Sequence, residues 1–464
     1  MSDRGTLDHL SKNIQAGPFG TQLHKTDYVE VGIPMLNAKN IGQGEVSTYS
    51  LDYVSEKTCK RLPQYILQKG DIVFGRSGTI NRHVCINDEY AGAFQGTNCI
   101  RVRLKDISLA NYVSYYLHLE SVKKKISLSA GKTTQQYITA DNLAQISISV
   151  PSEKVVKNIE RILITFDHKI YLNDAINAEL EKAAKLLYNY WFVQFDFPDA
   201  DSKPYRTSGG AMVWNEQLKR EIPKGWRVDK LENKLNMQRG VEPGSDAYSE
   251  VETDVETVPF IRVSDLGSQP ALFISEENAN GTRCISNDVL VSFDGSVGKM
   301  AIAMEGAYSS GIRKISPKDC DYADALIYFI FQSEEIQKTI AKYAVGSNIL
   351  HAAGAIEHLL FPYGQEVVND FIAKVAPMYK QIVANHQQNK ELAKLRDFLL
   401  PLLMNGQVTV GQAQDEANIT PFKSDVADDT KYQAWKTKTG LAARGSIDEQ
   451  TLRNIYEAMD ADDR

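Results

Sequence analysis

From Ile159 the apolar positions advance in steps of four and three, through Leu163, Phe166, Ile170, Asn173, Asn177 and Leu180. Steps of that kind lay one narrow stripe along a helix and invite a second helix to cover it. Two positions of the stripe are asparagine, which weakens such a seam but fixes its register. The same pattern returns 212 positions later, as Phe371, Val375, Met378, Ile382, Asn385, Asn389 and Leu392. Both stretches open alike, with Val155-Val156 and Val367-Val368, and both carry a Glu-Leu pair, Glu179-Leu180 and Glu391-Leu392. Each predicts a helix of about 30–35 residues, roughly 50 Å long at the helical rise. Polar breaks at matching places predict that the two are partners, packed antiparallel, with Asn173, Asn177, Asn385 and Asn389 setting their register.

The segments ahead of the helices correspond more loosely. Gly32-Ile33-Pro34-Met35-Leu36-Asn37 faces Thr257-Val258-Pro259-Phe260-Ile261-Arg262. Gly70-Asp71-Ile72-Val73-Phe74-Gly75-Arg76-Ser77-Gly78 faces Asn287-Asp288-Val289-Leu290-Val291-Ser292-Phe293-Asp294-Gly295. Each reads as a turn, a short buried strand and a glycine loop. Ala130-Gly131-Lys132-Thr133-Thr134 holds the place of Val345-Gly346-Ser347-Asn348. The order is therefore domain, helix, domain, helix. The expected fold is α/β (α+β), with two similar globular domains separated by two long antiparallel coiled-coil helices in a pseudo-two-fold repeat. Its divisions are a first domain over 1–150, a central helix over 151–195 and a linker and lead-in over 196–225. A second domain over 226–362, a C-terminal helix over 363–404 and a tail over 405–464 follow.

Composition narrows the function. The chain is 43% hydrophobic and 24% charged, the balance of a globular protein. No stretch nears the roughly 18 apolar residues of a membrane span, and the start lacks a secretory apolar core. A cytoplasmic location without a membrane is expected. The five cysteines form no CxxC pair, and no cysteine neighbours His351 or His358, so no metal is expected. Net charge is −7, unusual for a nucleic-acid binder, but it is unevenly spread. Residues 1–150 hold 17 Lys and Arg against 13 acids, whereas 201–362 hold 17 against 23.

Catalytic motifs are missing. Gly131-Lys132-Thr133 resembles the end of a phosphate loop, but Ile126 stands where the earlier glycine is needed. Neither Gly75-Arg76-Ser77-Gly78 nor Ser309-Ser310-Gly311 has the frame of a hydrolase nucleophile. There is no Asn/Asp-Pro-Pro-Tyr/Phe methyltransferase tetrapeptide. Polar loops recur instead. Arg76, Ser77, Thr79, Asn81 and Arg82 follow the first glycine strand, and Lys132, Thr133, Gln135, Gln136 and Tyr137 form a second cluster. Arginine grips guanine and glutamine grips adenine through paired hydrogen bonds, while lysine, serine and threonine serve phosphates. In the second half Arg262, Lys299, Arg313, Ser347, Asn348 and His351 are the corresponding DNA-binding candidates. The Lys123-Lys124-Lys125 run reads as a solvated helix face.

These features together resemble the specificity (S) subunit of type I restriction–modification enzymes. The resemblance rests on the domain–helix repeat and on particular phrases. They are Gly17-Pro18-Phe19-Gly20, Gly70-Asp71-Ile72-Val73, Trp214-Asn215-Glu216 with Ile222-Pro223-Lys224-Gly225-Trp226, and Asn405-Gly406-Gln407-Val408. It covers roughly residues 10–410. It implies two target recognition domains, each reading half of a split, asymmetric site in double-stranded DNA, with the helices as a spacer. It implies two methyltransferase (M) subunits and restriction/translocase (R) subunits as partners. No cofactor is expected on this chain; S-adenosylmethionine, ATP and Mg belong to those partners. The chain would be a non-catalytic subunit of a complex with methyltransferase and endonuclease activity. A self-contained nuclease with a divergent site, or a coiled-coil scaffold for proteins, are the competing readings.

Overall fold

The computed structural model describes residues 3–408 apart from Tyr49, Thr79, 131–136, 251–256 and Asn348. In the first half the run Ile72-Val73-Phe74 is buried on both faces and forms an inner strand, Ile72–Gly75. Such unbroken apolar runs are what a strand covered on both sides requires. It lies in a four-stranded sheet ordered Ser11–Ala16, Cys99–Leu104, Ile72–Gly75, His83–Cys85. A second sheet runs Tyr28–Val29, Asp52–Val54, Ile33–Leu36, Phe94–Gln95, and its last pair is parallel. Strand Asp3–Thr6 pairs with Ser147–Val150. Helices α1 (Ala110–Leu117) and α2 (Glu120–Ser129) complete the unit, and α3 (Glu153–Tyr188) leaves it.

The second half repeats this plan, with three strands rather than four in its second sheet among the described residues. Val289–Ser292, again wholly buried, lies in the sheet Leu235–Arg239, Ile312–Pro317, Val289–Ser292, Met300–Ala301. Leu272–Ser275, Thr257–Ile261 and Ala307–Tyr308 form the second sheet, its last pair parallel as before. Arg227–Lys230 pairs with Leu360–Tyr363. Helices α4 (Asp324–Gln332), α5 (Glu334–Lys342) and α6 (Gln365–Met404) follow in the same order. The strand registers extend the sequence match: Val73 faces Arg101 and the equivalent Leu290 faces Lys314, so the counterpart of Arg101 is Lys314.

α3 and α6 pack along each other, antiparallel as the stripes predict. Asn173 Nδ2 donates to Asn389 Oδ1 at 2.8 Å, and Asn385 Nδ2 donates to Asn177 Oδ1 at 2.8 Å. Numbers rise on one helix as they fall on the other. Ile159, Leu163, Phe371, Val375 and Ile382 are buried in the same seam. Each globular unit is tied to the pair by a tyrosine. Tyr115 of α1 donates to Asp167, which also takes Arg396 of α6 at 2.7 Å. Tyr328 of α4 donates to Glu181 at 2.6 Å and lies against Tyr379.

At the end of α3 a wider turn, Asn189–Val193, buries Trp191 and Phe192 among Phe361 and Phe371 of the second half. The Pro- and Asp-rich stretch that follows is packed as well. Phe197 stacks between Tyr205 and Trp226, and Asp196 accepts from Thr207 at 2.7 Å. A hairpin, Met212–Asn215 with Arg220–Pro223, leads into the second half. Among the described residues no helix is long and apolar enough to cross a membrane.

Candidate nucleic-acid interface

The loop after strand Ile72–Gly75 is fastened on three sides. Gly75 N–H donates to Arg82 O at 3.2 Å and Arg76 N–H to Asn98 O at 2.8 Å. Arg76 O accepts from Ile138 at 3.0 Å, and Ser77 bridges Tyr137. The segment before the helix at 140 is thereby brought against the glycine loop, so that Tyr137 of the second polar cluster meets Ser77 of the first across 60 positions of sequence. Arg76 lies 4.8 Å over the ring of Phe19, which is 51% exposed. Stacking of that kind holds the guanidinium plane while leaving its N–H edge for a ligand. Arg76 meets no carboxylate among the described residues. Phe19 reaches it because Gly17 lets the chain pass close: a Cβ there would lie 2.0 Å from Gly96 O.

Arg82 and Tyr137 are exposed on the same loops. Asn81 donates to Ser127 Oγ at 2.8 Å and so binds the loop to α2. Between them is an open notch lined by Asn81, Lys123, Lys124 and Ser127. Lys123 is half-buried and paired with Glu120 at 2.9 Å, whereas Lys124 and Lys125 are exposed. The lysine run therefore borders the loop. Thr79, Lys132, Thr133, Gln135 and Gln136 lie outside the described residues.

The second half builds the same junction from different side chains. Phe293 and Asp294 both donate from backbone N–H to Gly311 O, at 2.8 and 3.2 Å. Phe293 O accepts from Ala352 at 2.7 Å, and Asp294 bridges His351. His351 Nδ1 donates to Asp294 Oδ1 at 2.8 Å. Val345 and His351 exchange backbone hydrogen bonds at 3.0 and 2.8 Å, closing the small loop that carries exposed Ser347. Gly346 is needed there, at φ +132 with a would-be Cβ 2.0 Å from Ile349 O.

Cations surround this junction. Lys299 Nζ donates to Ser264 O at 3.3 Å, on the turn where Arg262 pairs with Asp265 at 3.1 Å. Val263 of that turn lies against Gly295 and Gly311. Arg313 faces Arg239 across the sheet. Burial and Arg239 pull the Arg313 guanidinium below its usual range, and nearby Asp294 acts against them. Arg262, Lys299, Arg313, Ser347 and His351 thus gather on one side of an otherwise acidic domain. Asn348 lies outside the described residues. Asp294 and Arg239 were missed by sequence reasoning. Asp294 stands at the position matched to Ser77, which was the available signal, but a lone carboxylate does not read as a nucleic-acid contact. Among the described residues no group of three His, Cys, Asp or Glu could hold a metal ion.

The model of the type I restriction modification DNA specificity domain matches residues 19–182 and again 223–356. The chain belongs to that family. Each matched stretch covers one globular unit, and the first continues along α3. A type I restriction enzyme MjaIX specificity subunit from Methanocaldococcus jannaschii is 25% identical over 393 residues, 82% of this chain and 87% of that protein. A HindI specificity subunit from Haemophilus influenzae is 23% identical over 61% of this chain and 74% of that protein. Among solved structures, a type I restriction–modification S subunit from M. genitalium is similar at 16% identity, with a TM-score of 0.49. That likeness covers 87% of this chain and 96% of that one. As a member of the specificity family the chain presents two junctions of one design, one cationic at its centre and one acidic.

Proposed function

We propose that the chain is the DNA-reading subunit of a type I restriction–modification complex, without chemistry of its own. Units 1–150 and 226–362 each read one half of a split, asymmetric site in double-stranded DNA. The helices of 151–195 and 363–404 fix the gap between the halves. The observation that carries this reading is the duplicated junction. The same two loops meet in both units, each displays hydrogen-bonding side chains, and an antiparallel helix pair holds the units apart. Two similar readers on a stiff spacer suit two half-sites at a set distance. Arg76, stacked over Phe19, suits guanine, and Tyr137, Ser77 and, next in the sequence, Gln135 and Gln136 suit further base edges. Arg82, Lys132, Thr79, Thr133, Lys299, Arg262 and Ser347 suit phosphates.

The partners in this reading are two methyltransferase subunits, joined for cleavage by restriction/translocase subunits. S-adenosylmethionine, ATP and Mg are carried by those subunits. Exposed apolar side chains on the helix pair support docking. Ile164 on α3 and Leu395 and Phe398 on α6 lie near the Asp167–Arg396 ion pair, at one level of the bundle. The test is methylation mapping in cells expressing the chain with and without a methyltransferase subunit. A split adenine-methylated motif that needs both proteins is expected. No such motif, with both proteins present and associated, would overturn the reading in favour of a scaffold.

A further inference from the structure

The residue after the inner strand differs in kind between the two readers. In the first, the strand runs into Arg76 and Ser77; in the second, it runs into buried Phe293 and the carboxylate Asp294. Asp294 is held firmly, by its backbone N–H on Gly311 O and by Oδ1 on His351 Nδ1. Its Oδ2 has no hydrogen-bond partner among the described residues, and the side chain is 22% exposed. Around it stand Arg313, Arg239 and Lys299, with the Arg262–Asp265 pair beyond.

A carboxylate on a DNA-binding face is repelled by phosphates, so it suits a place where bases, not backbone, come close. The cationic rim fits the phosphates on either side. The free oxygen at the centre can only accept a hydrogen bond. In the major groove two groups donate, the N4 amino group of cytosine and the N6 amino group of adenine. Adenine sets its acceptor N7 beside the amino group, and that lone pair would face the carboxylate. Cytosine has no such neighbour, and its guanine partner offers O6 and N7 to a donor such as Arg313. We propose, resting on the DNA-reading function above, that Asp294 is a base-reading residue of the second reader. Steadied by His351, it accepts a hydrogen bond from the N4 amino group of a cytosine.

Asp294→Asn and Asp294→Ser, the second carrying the first reader's own residue, test this in the full chain co-expressed with its methyltransferase subunit. Methylated motifs are mapped base by base, with Arg76→Ala marking which half belongs to the first reader. The expected result is one C·G pair in the second half-site whose preference falls about ten-fold or more in both variants. The rest of that half and all of the first half should be unchanged. A wild-type split motif that both variants reproduce overturns the assignment and leaves the DNA-reading function standing. So does loss of all methylation from a complex that still assembles, since the Asp294–His351 contact is then a structural clasp. Absence of any split motif in the wild type overturns the function and the assignment together.

Discussion

His83 lies fully buried between two rings, 5.0 Å from Phe74 and 4.0 Å from His118. Its Nε2–H donates to Ser114 O at 2.9 Å, while Nδ1 has no partner among the described residues. A neutral imidazole fits this place and a charged one does not. Burial, with Lys123 adding to it, takes His83 down to about 4. Burial, then His83, Lys123 and Arg396, take His118 down to about 2. Both folded values lie below the unfolded value of about 6.5. The unfolded chain therefore binds protons that the folded chain refuses, so stability is whole above pH 6.5 and falls as pH drops through 6.5 towards 4. Each imidazole contributes up to about 1.4 kcal/mol per pH unit in that window. His118→Phe keeps a ring in place and removes one titration. Denaturant unfolding of the full chain at several pH values should then show a slope lower by about one proton between pH 6 and 5. An unchanged slope would mean that the pair does not govern acid lability.

Along the helix pair the polar seam costs stability as well as fixing register. Asn173 Oδ1 and Asn177 Nδ2 are buried without partners among the described residues, and each such group costs roughly 1–3 kcal/mol. Asn177→Leu alone removes one orphaned group but strands Asn385 Nδ2 in its place, so it should change stability by less than about 1 kcal/mol. Asn177→Leu with Asn385→Leu removes both, should be about 1–3 kcal/mol more stable than the single variant, and should leave the gap between half-sites less well defined. A double variant no more stable than the single one in urea unfolding would show that apolar side chains cannot fill the seam. This element was legible in the sequence because its period, its asparagines and its partner all lie within continuous stretches. The junctions were legible only in part. Arg76 and Tyr137 each stand out locally, but their meeting depends on strand pairing that no local pattern states. Asp294 stayed hidden because its meaning comes from His351 and Arg313, which other segments bring to it. The packed stretch from Asp196 to Arg206 was also obscure, since its composition reads as linker while Phe197 and Tyr205 fasten it.

At the scale of the whole molecule the two halves are one design used twice. Moving each residue of the Asn173–Asn389 contact to its counterpart in the other half gives Asn385–Asn177, which is also formed. The helix pair thus has an approximate two-fold axis, and a true axis would serve equally well. A fragment of residues 1–195 carries one unit, its Tyr115–Asp167 tie and one complete stripe. Two copies could form the seam again, with Asn173 of one facing Asn177 of the other, as an isologous contact. Some interactions would be lost. Arg396 has Ala184 as its counterpart, so its ion pair with Asp167 could not form again. Trp191 and Phe192 would lose Phe361 and Phe371, at about 1.5–3 kcal/mol for each exposed side chain. The fragment should therefore sediment as a dimer at micromolar concentration and melt below the full chain. With a methyltransferase subunit it should direct methylation to an inverted repeat of the first half-site. A fragment that stays monomeric while keeping its helix would show that the likeness of α3 and α6 is insufficient for pairing. The second half's own side chains would then be what holds the spacer together.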